Sequence, residues 1–170
     1  KITILSDREH CLKRSGMYIG SVKPEKQIFW VLNSEKKLIR QEIEFIPGLF
    51  KIFSEIVDNA IDEVAVRGFG DTVNIEYDKQ TGFITVSDNG RGIPIDKHDE
   101  AKVPIPQVIF AQLRSGSNFD DSARETVGMN GVGATLTNIF SEKLIVQIKR
   151  DGKIYQQVFK DNLAKIEDPI

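Results

Sequence analysis

Hydrophobic positions along the chain change period several times, and each change marks an element. Phe50, Phe53, Ile56, Val57, Ala60, Ile61 and Val64 recur at helical spacing, which predicts an amphipathic helix over 48–67 with one buried face. Gly68 and Gly70 end it. Elsewhere the period falls towards two. Residues 27–32 and 37–45 predict a hairpin turning at Asn33-Ser34-Glu35, 72–77 and 82–87 a second, and 143–149 with 153–159 a third across Asp151-Gly152. Short helices are expected over 7–14, 107–113 and 131–140. Residues 95–106 and 114–130 remain as long loops, and long loops beside a site are usually lids or binding loops. Helices alternating with hairpins describe an α+β layered domain. No internal repeat or low-complexity segment interrupts it.

The predicted helix over 48–67 also carries chemistry. Glu55 and Asn59 stand four apart and share a face. A carboxylate that can take a proton from water, one turn from an amide oxygen that can face a hard cation, points to metal-assisted phosphoryl chemistry; a solvated acidic face is the plainer alternative. Farther on, Gly82–Pro94 reads Gly-Phe-Ile-Thr-Val-Ser-Asp-Asn-Gly-Arg-Gly-Ile-Pro. A hairpin turn needs one Asn-Gly; a second Gly and a Pro point to a fixed loop that a ligand approaches closely. An ionised Asp only accepts hydrogen bonds, so Asp88 at the strand end suits the exocyclic amine of adenine. Val127–Ala134, Val-Gly-Met-Asn-Gly-Val-Gly-Ala, leads into a helical pattern, and glycines ahead of a helix offer N–H groups to phosphate. The run is neither a Walker loop, lacking Gly-Lys-Ser/Thr, nor a Rossmann fingerprint, lacking a surrounding βαβ pattern.

In this order the three segments resemble the ATP-binding motifs of the GHKL (Bergerat) superfamily: gyrase-type topoisomerases, heat-shock chaperones, histidine kinases and mismatch-repair ATPases. Leu5–Gly20, ending Gly-Met-Tyr-Ile-Gly, looks like the arm and Tyr-Ile-Gly element that opens type IIA topoisomerase ATPase domains. Phe-Ile-Pro-Gly-Leu-Phe-Lys-Ile-Phe over 45–53, the run 107–119, and 128–141 with Asn-Gly-x-Gly-Ala and Thr-Asn-Ile-Phe-Ser are similar to the eukaryotic enzyme. Asp58 and Gly-Met-Tyr-Ile-Gly are gyrase-like, a mixture that suits a large-virus, phage or divergent microbial enzyme.

The resemblance implies a two-layer sandwich: a mixed, mostly antiparallel sheet with helices on one face. It implies one ATP-binding domain over 1–170, with an N-terminal arm over 1–20 and an ATP lid over about 114–130. Glu55 would be the general base that polarises the attacking water, and Asn59 would hold Mg²⁺. Asp88 would accept from adenine, with Gly92 and Ile93 lining the base pocket and Arg91 and Arg150 flanking it. Ser117 and Asn118 would touch ribose and α-phosphate, while Gly128, Asn130, Gly131, Val132, Gly133 and Ala134 would wrap the terminal phosphates. Asp58, Asp62 and Glu63 are read as structural, and Tyr18 as the anchor of the N-terminal element. The implied function is ATP-gated dimer closure during passage of one DNA duplex through another.

The pattern has departures. Thr135 replaces a lysine, which puts one phosphate contact in doubt, and no Gly-Thr element follows residue 160. The chain starts at Lys1 without Met and stops at Ile170 just after a strand pattern, and is read as an excised piece of a longer enzyme. The transducer domain with its γ-phosphate-sensing lysine and the cleavage domains would lie beyond it, leaving the isolated piece nearly inactive. Two rivals remain: a histidine-kinase or chaperone-type ATPase, and a nucleotide-sensing module that does not hydrolyse. Of the histidines, His10 and His98, neither sits in a phosphoacceptor setting, and a base at residue 55 is superfluous for binding alone.

Composition adds limits. Lys plus Arg number 23 against 25 for Asp plus Glu, without a dense basic stripe, so DNA contact is expected through the full-length enzyme and not through this domain. The partners implied are ATP, a second copy of the ATPase domain, and, in some family members, a separate cleavage subunit. Cys11 is the single cysteine, which excludes an intramolecular disulfide and fits a reducing compartment. With no signal peptide or apolar span legible, an intracellular place without membrane contact is expected: cytoplasm, nucleoid or nucleus, or the host cell of a virus.

Overall fold

A computed structural model of the chain describes residues 4–113 and 132–170. Two short helices open it, α1 (Asp7–Lys13) and α2 (Ser15–Tyr18). A capping box fixes the start of α1: Ser6 Oγ accepts from the Glu9 N–H, and Glu9 Oε2 accepts from the Ser6 N–H at 2.8 Å. Strands β1 (Glu25–Leu32) and β2 (Leu38–Phe45) form the first hairpin, and α3 (Pro47–Ile61) follows with proline in its first turn. The second hairpin is β3 (Val73–Tyr77) and β4 (Ile84–Asp88). Helices α4 (Ile105–Ala111) and α5 (Gly133–Ile139) precede the last sheet: β5 (Lys143–Arg150), β6 (Lys153–Lys160) and β7 (Lys165–Ile166).

The α+β class holds, and every ladder among the described residues is antiparallel. The ladders fall into three groups, β1-β2, β3-β4 and β5-β6-β7. Asp151 and Gly152 both take positive φ, as a two-residue turn matched to strand twist requires.

The helix expected over 48–67 is corrected in two respects. It stays α-helical to Ile61, then widens into a π-helical turn over Asp62–Val66, with the Arg67 N–H bonded to the Asp62 carbonyl at 2.9 Å. Its buried residues are Gly48, Ile52 and Ala60, whereas Phe50 and Ile61 are exposed. Phe50 turns instead towards the first hairpin, edge-on to Phe45 at 6.1 Å. That hairpin leaves Ile28, Trp30, Leu32 and Leu38 exposed on one face.

The core lies around α5, whose residues Ala134 to Ile139 are all buried. One apolar cluster joins Val146, Ile148, Tyr155 and Phe159; the other joins Cys11, Leu136 and Ile139, and Leu163 packs against both. Leu163 ends a run of three left-handed residues, Asp161, Asn162 and Leu163. Such backbone persists only where its surroundings over-determine it. Arg8 supplies part of that constraint, donating to the carbonyls of Asn162 at 2.5 Å and Asp161 at 3.0 Å.

A helix buried on every side must satisfy what it covers. Thr135 Oγ donates towards the carbonyls of Ile109 and Gln112 at 2.9 and 3.0 Å, where α4 runs out of its own donors. Thr137 Oγ reaches the Ile52 carbonyl at 2.8 Å, and Asn138 Nδ2 the Phe110 carbonyl at 2.8 Å. Thr135→Val keeps the shape and removes the donor, so chemical denaturation is expected to show a loss of about 1–3 kcal/mol with an unchanged denaturant slope.

Candidate nucleotide site

Helix α3 is the platform. Along one stripe it carries Lys51, Glu55 and Asn59, and the widened turn beyond brings Asp62 and Glu63. Glu55 meets the start of α5. A β-carbon placed on Gly133 would lie 2.6 Å from the Glu55 carboxyl carbon and closer still to Oε2, so only glycine leaves room for this side chain as it stands. The other carboxylate oxygen, Oε1, is ion-paired with Lys51. Asn59, one turn on, is exposed.

At the far end of the platform, β4 delivers Asp88 and the loop behind it. Asp88 is exposed, and Oδ1 accepts from the Gly90 N–H at 2.9 Å. Gly92 takes φ +72°, with Ile148 Cγ2 and the Lys149 carbonyl each 3.1 Å from where a β-carbon would stand. Its own carbonyl accepts from Arg150 Nη1 at 2.7 Å. Ile93 packs into the β5–β6 cluster. Gly92, Ile93 and Arg150 thus come together where the loop docks on β5.

Arg91 has a structural partner. It donates from Nε to Glu63 Oε1 at 2.8 Å and from Nη2 to Oε2 at 3.0 Å, while its own N–H adds a third bond to Oε1 at 3.1 Å. The guanidinium carbon stands 3.5 Å from the centre of the Phe69 ring. Glu63 therefore earns the structural reading. The Arg91 hydrogen bond is the main reason its carboxyl is held below the ordinary glutamate range.

Other expectations fall less evenly. Val132 packs against the Cys11 cluster and Ala134 is buried, so both side chains face the core. Thr135, which stands where the family pattern has a lysine, donates to the carbonyls at the end of α4. Tyr18 anchors the N-terminal element, its hydroxyl 2.7 Å from His10 Nδ1. Asp58 lies one turn from Glu55, and burial, then the Glu55 charge, holds its carboxyl above the usual range. Ser117, Asn118, Gly128, Asn130 and Gly131, with the lid over 114–130, lie outside the described residues.

Two contributors escaped the sequence reading. Asn89, read as part of a turn, staples the 70–72 segment: Oδ1 accepts from the N–H groups of Asp71 and Thr72 at 2.9 and 3.0 Å, and Nδ2 donates to Asp71 at 2.8 Å. An Asp-Asn-Gly run gives no sign of so distant a partner. Lys51 was legible in principle, standing four residues before Glu55.

Because the Glu63 pKa is depressed by folding, its stabilisation is complete above the ordinary glutamate range and fades as pH falls through the lowered value. Glu63→Gln is expected to lower the melting temperature by about 2–4 °C at neutral pH. In a pH series the gap to wild type should begin to narrow near about pH 4.3, the ordinary glutamate value, and close only below the lowered folded-state value.

Comparison with known proteins gives this geometry a family. The model for histidine kinase-, DNA gyrase B- and HSP90-like ATPases matches residues 46–159. DNA topoisomerase 2 of Arabidopsis thaliana is 38% identical over 169 residues, covering 97% of this chain and 11% of that protein. DNA topoisomerase 2 of Drosophila melanogaster is 40% identical over 167 residues, covering 96% and 12%. The chain thus spans about a tenth of the length of these curated relatives. The ATPase region of Saccharomyces cerevisiae topoisomerase II superposes with a TM-score of 0.93 at 36% identity, over 99% of this chain and 46% of that one. The 43K ATPase domain of Thermus thermophilus gyrase B gives 0.68 at 29%, over 95% and 33%. The fold is thus nearer the yeast enzyme than this gyrase, as the motifs over 45–53, 107–119 and 128–141 imply. With two-thirds of its length matched by the family model and its fold shared with a topoisomerase II ATPase region, the chain belongs to the histidine kinase-, DNA gyrase B- and HSP90-like ATPases.

Proposed function

We propose that this domain binds and hydrolyses ATP as the gate-driving part of a type II DNA topoisomerase, closing a dimer of ATPase domains while one duplex passes through another. The observation that carries the reading is the seat of Glu55. Its carboxylate lies over the Gly133 backbone at the start of α5, one helical turn from the exposed Asn59. A base placed at the end of a glycine-rich run stands where the terminal phosphates of a nucleotide would be held.

In this reading Asp88 takes the exocyclic amine of adenine. One of its oxygens is already used by the Gly90 N–H, which orients the carboxylate and leaves Oδ2 without a partner among the described residues. Gly92 and Ile93 line the base, and Arg150 holds that stretch through the Gly92 carbonyl. Ser117 and Asn118 serve the ribose and α-phosphate; Gly128, Asn130, Gly131, Val132, Gly133 and Ala134 serve the β- and γ-phosphates through the main chain.

A divalent cation fits the donor set. Among the described residues no group of three His, Cys, Asp or Glu could hold a metal ion. Mg²⁺ commonly uses one or two protein oxygens and fills its remaining positions with water and substrate phosphate, and the exposed Asn59 carboxamide suits that part. When bound, the ion would neutralise charge on the phosphates. DNA, the second ATPase domain and a cleavage subunit belong to this reading of the longer enzyme. So does an intracellular setting; among the described residues no helix is long and apolar enough to cross a membrane.

The reading makes two expected outcomes. Glu55→Ala should leave ATP binding intact and reduce turnover by about 10²–10⁴ in the full-length protein, because a general base acts in the chemical step. Turnover near wild type would sink the base assignment. Asp88→Asn presents N–H groups to the adenine amine and should weaken ATP binding by about 1–3 kcal/mol. Calorimetry is the check: unchanged ATP affinity refutes the adenine role, and an equal loss of GTP affinity marks a general folding defect.

A further inference from the structure

We infer that Asn89 is a modification site: the Asn89-Gly90 pair deamidates when the loop after β4 opens, and the product cannot close that loop again. The inference goes beyond the nucleotide reading and rests only on residues 63–91. Asparagine followed by glycine is especially open to this chemistry, because no side chain on the second residue hinders attack by its backbone nitrogen. Asn89 is exposed, so water is at hand.

The fold needs both residues of the pair. A β-carbon on Gly90 would stand 2.5 Å from Glu63 Cγ, 2.8 Å from Asp88 Oδ1 and 3.1 Å from the Phe69 carbonyl oxygen, so only glycine fits the chain as it lies. Asn89 is needed for its bonds to Asp71 and Thr72, and its own N–H adds another, to the Thr72 carbonyl at 3.3 Å. Together they carry the β3–β4 pairing one step past Val73 and Asp88. The same contacts hold the reaction back. The carboxamide is turned towards residues 71 and 72, and the Gly90 nitrogen that would attack it is engaged with Asp88 Oδ1 at 2.9 Å. Opening must release both before carbon and nitrogen can meet.

In the step itself the Gly90 nitrogen gives its proton to water and bonds to Asn89 Cγ. The bond from Cγ to Nδ2 breaks, and Nδ2 takes up a proton from water and leaves as ammonia. The five-membered imide adds one water and opens at either of its two carbonyls, giving aspartate or isoaspartate at position 89. One water is consumed, one ammonia is released, and nothing is oxidised or reduced. In the aspartate product a charged oxygen stands where Nδ2 donated, facing Asp71. The Asn89 hydrogen bond is the main reason the Asp71 carboxyl lies below the ordinary aspartate range, so Asp71 is ionised at neutral pH and two like charges meet. In the isoaspartate product the main chain gains one carbon beside Gly90 and disturbs its close fit against Glu63 and Phe69.

The test is peptide mapping of the full-length protein by mass spectrometry. Aspartate and isoaspartate at position 89 are followed with time at mildly alkaline pH, folded and in urea. Wild type should deamidate at least about tenfold more slowly when folded, since opening precedes reaction. Asp71→Ala removes one bond and should raise the folded rate about tenfold while leaving the urea rate alone. Asp71→Asn keeps an acceptor oxygen and should stay within about twofold of wild type. Circular dichroism taken alongside separates a loosened loop from an unfolded chain. In calorimetry of the same protein, Asn89→Asp should lower the melting temperature of the domain by about 2–4 °C. Asp71→Asn combined with Asn89→Asp puts a donor back between the two side chains and should regain most of that loss. Equal rates folded and in urea, or no reaction in either, overturn the site, as does an unchanged rate in a folded Asp71→Ala. Wild-type melting in Asn89→Asp overturns the claim that the product cannot close the loop. A double variant no more stable than Asn89→Asp overturns the like-charge cause.

Discussion

Burying a short helix on all sides is the constraint from which the rest of this structure follows. Helix α5 has no solvent-facing stripe, so its polar side chains must find partners inside, and they find them in the carbonyls of other helices. Thr137 holds α3, and Thr135 and Asn138 hold α4. These bonds fix α5 in rotation as well as in place. Its first residue, Gly133, is thereby set against Glu55. A contact between two elements distant in sequence thus depends on hydroxyl and amide groups that lie inside the core.

The second fixed point is the widened turn that ends α3. An α-helix continued past Ile61 would carry residues 62 to 66 along its original axis. The extra residue per turn shifts their direction, and Glu63 meets Arg91 in a two-pronged pair that also covers Phe69. Through that pair α3 grips the loop that follows Asp88. One helix then sets two separated places: its middle holds Glu55 against α5, and its end holds the loop that begins at Asp88.

Much of this was legible in the sequence, for definable reasons. Periodicity found the three hairpins and the main helices because apolar and polar residues recur there with the period of a strand or a helix. Motif order found the family because glycines, an acid and a carboxamide recur where backbone must meet phosphate. What periodicity missed was decided by tertiary contacts. Phe50 and Ile61 fit the apolar stripe of α3 but lie exposed, while Ile52, off the expected stripe, is buried under α5 and its neighbours. Thr135 sits at a position where a lysine was expected near phosphate, and only the neighbouring end of α4 explains its hydroxyl. The π-helical turn leaves no mark in composition at all. Sequence names side chains, and it is silent on which carbonyls lack donors.

Cys11 adds a consequence of another kind. Its side chain is fully enclosed between α1 and α5, and burial pushes its thiol above the usual range. An enclosed thiol reacts only when the structure around it opens. The chain has a single cysteine, so the rate at which a thiol reagent modifies it counts the openings of one place: the seam where the N-terminal helix lies on α5. The protein carries its own clock for the loosening of the element that sets Gly133 against Glu55.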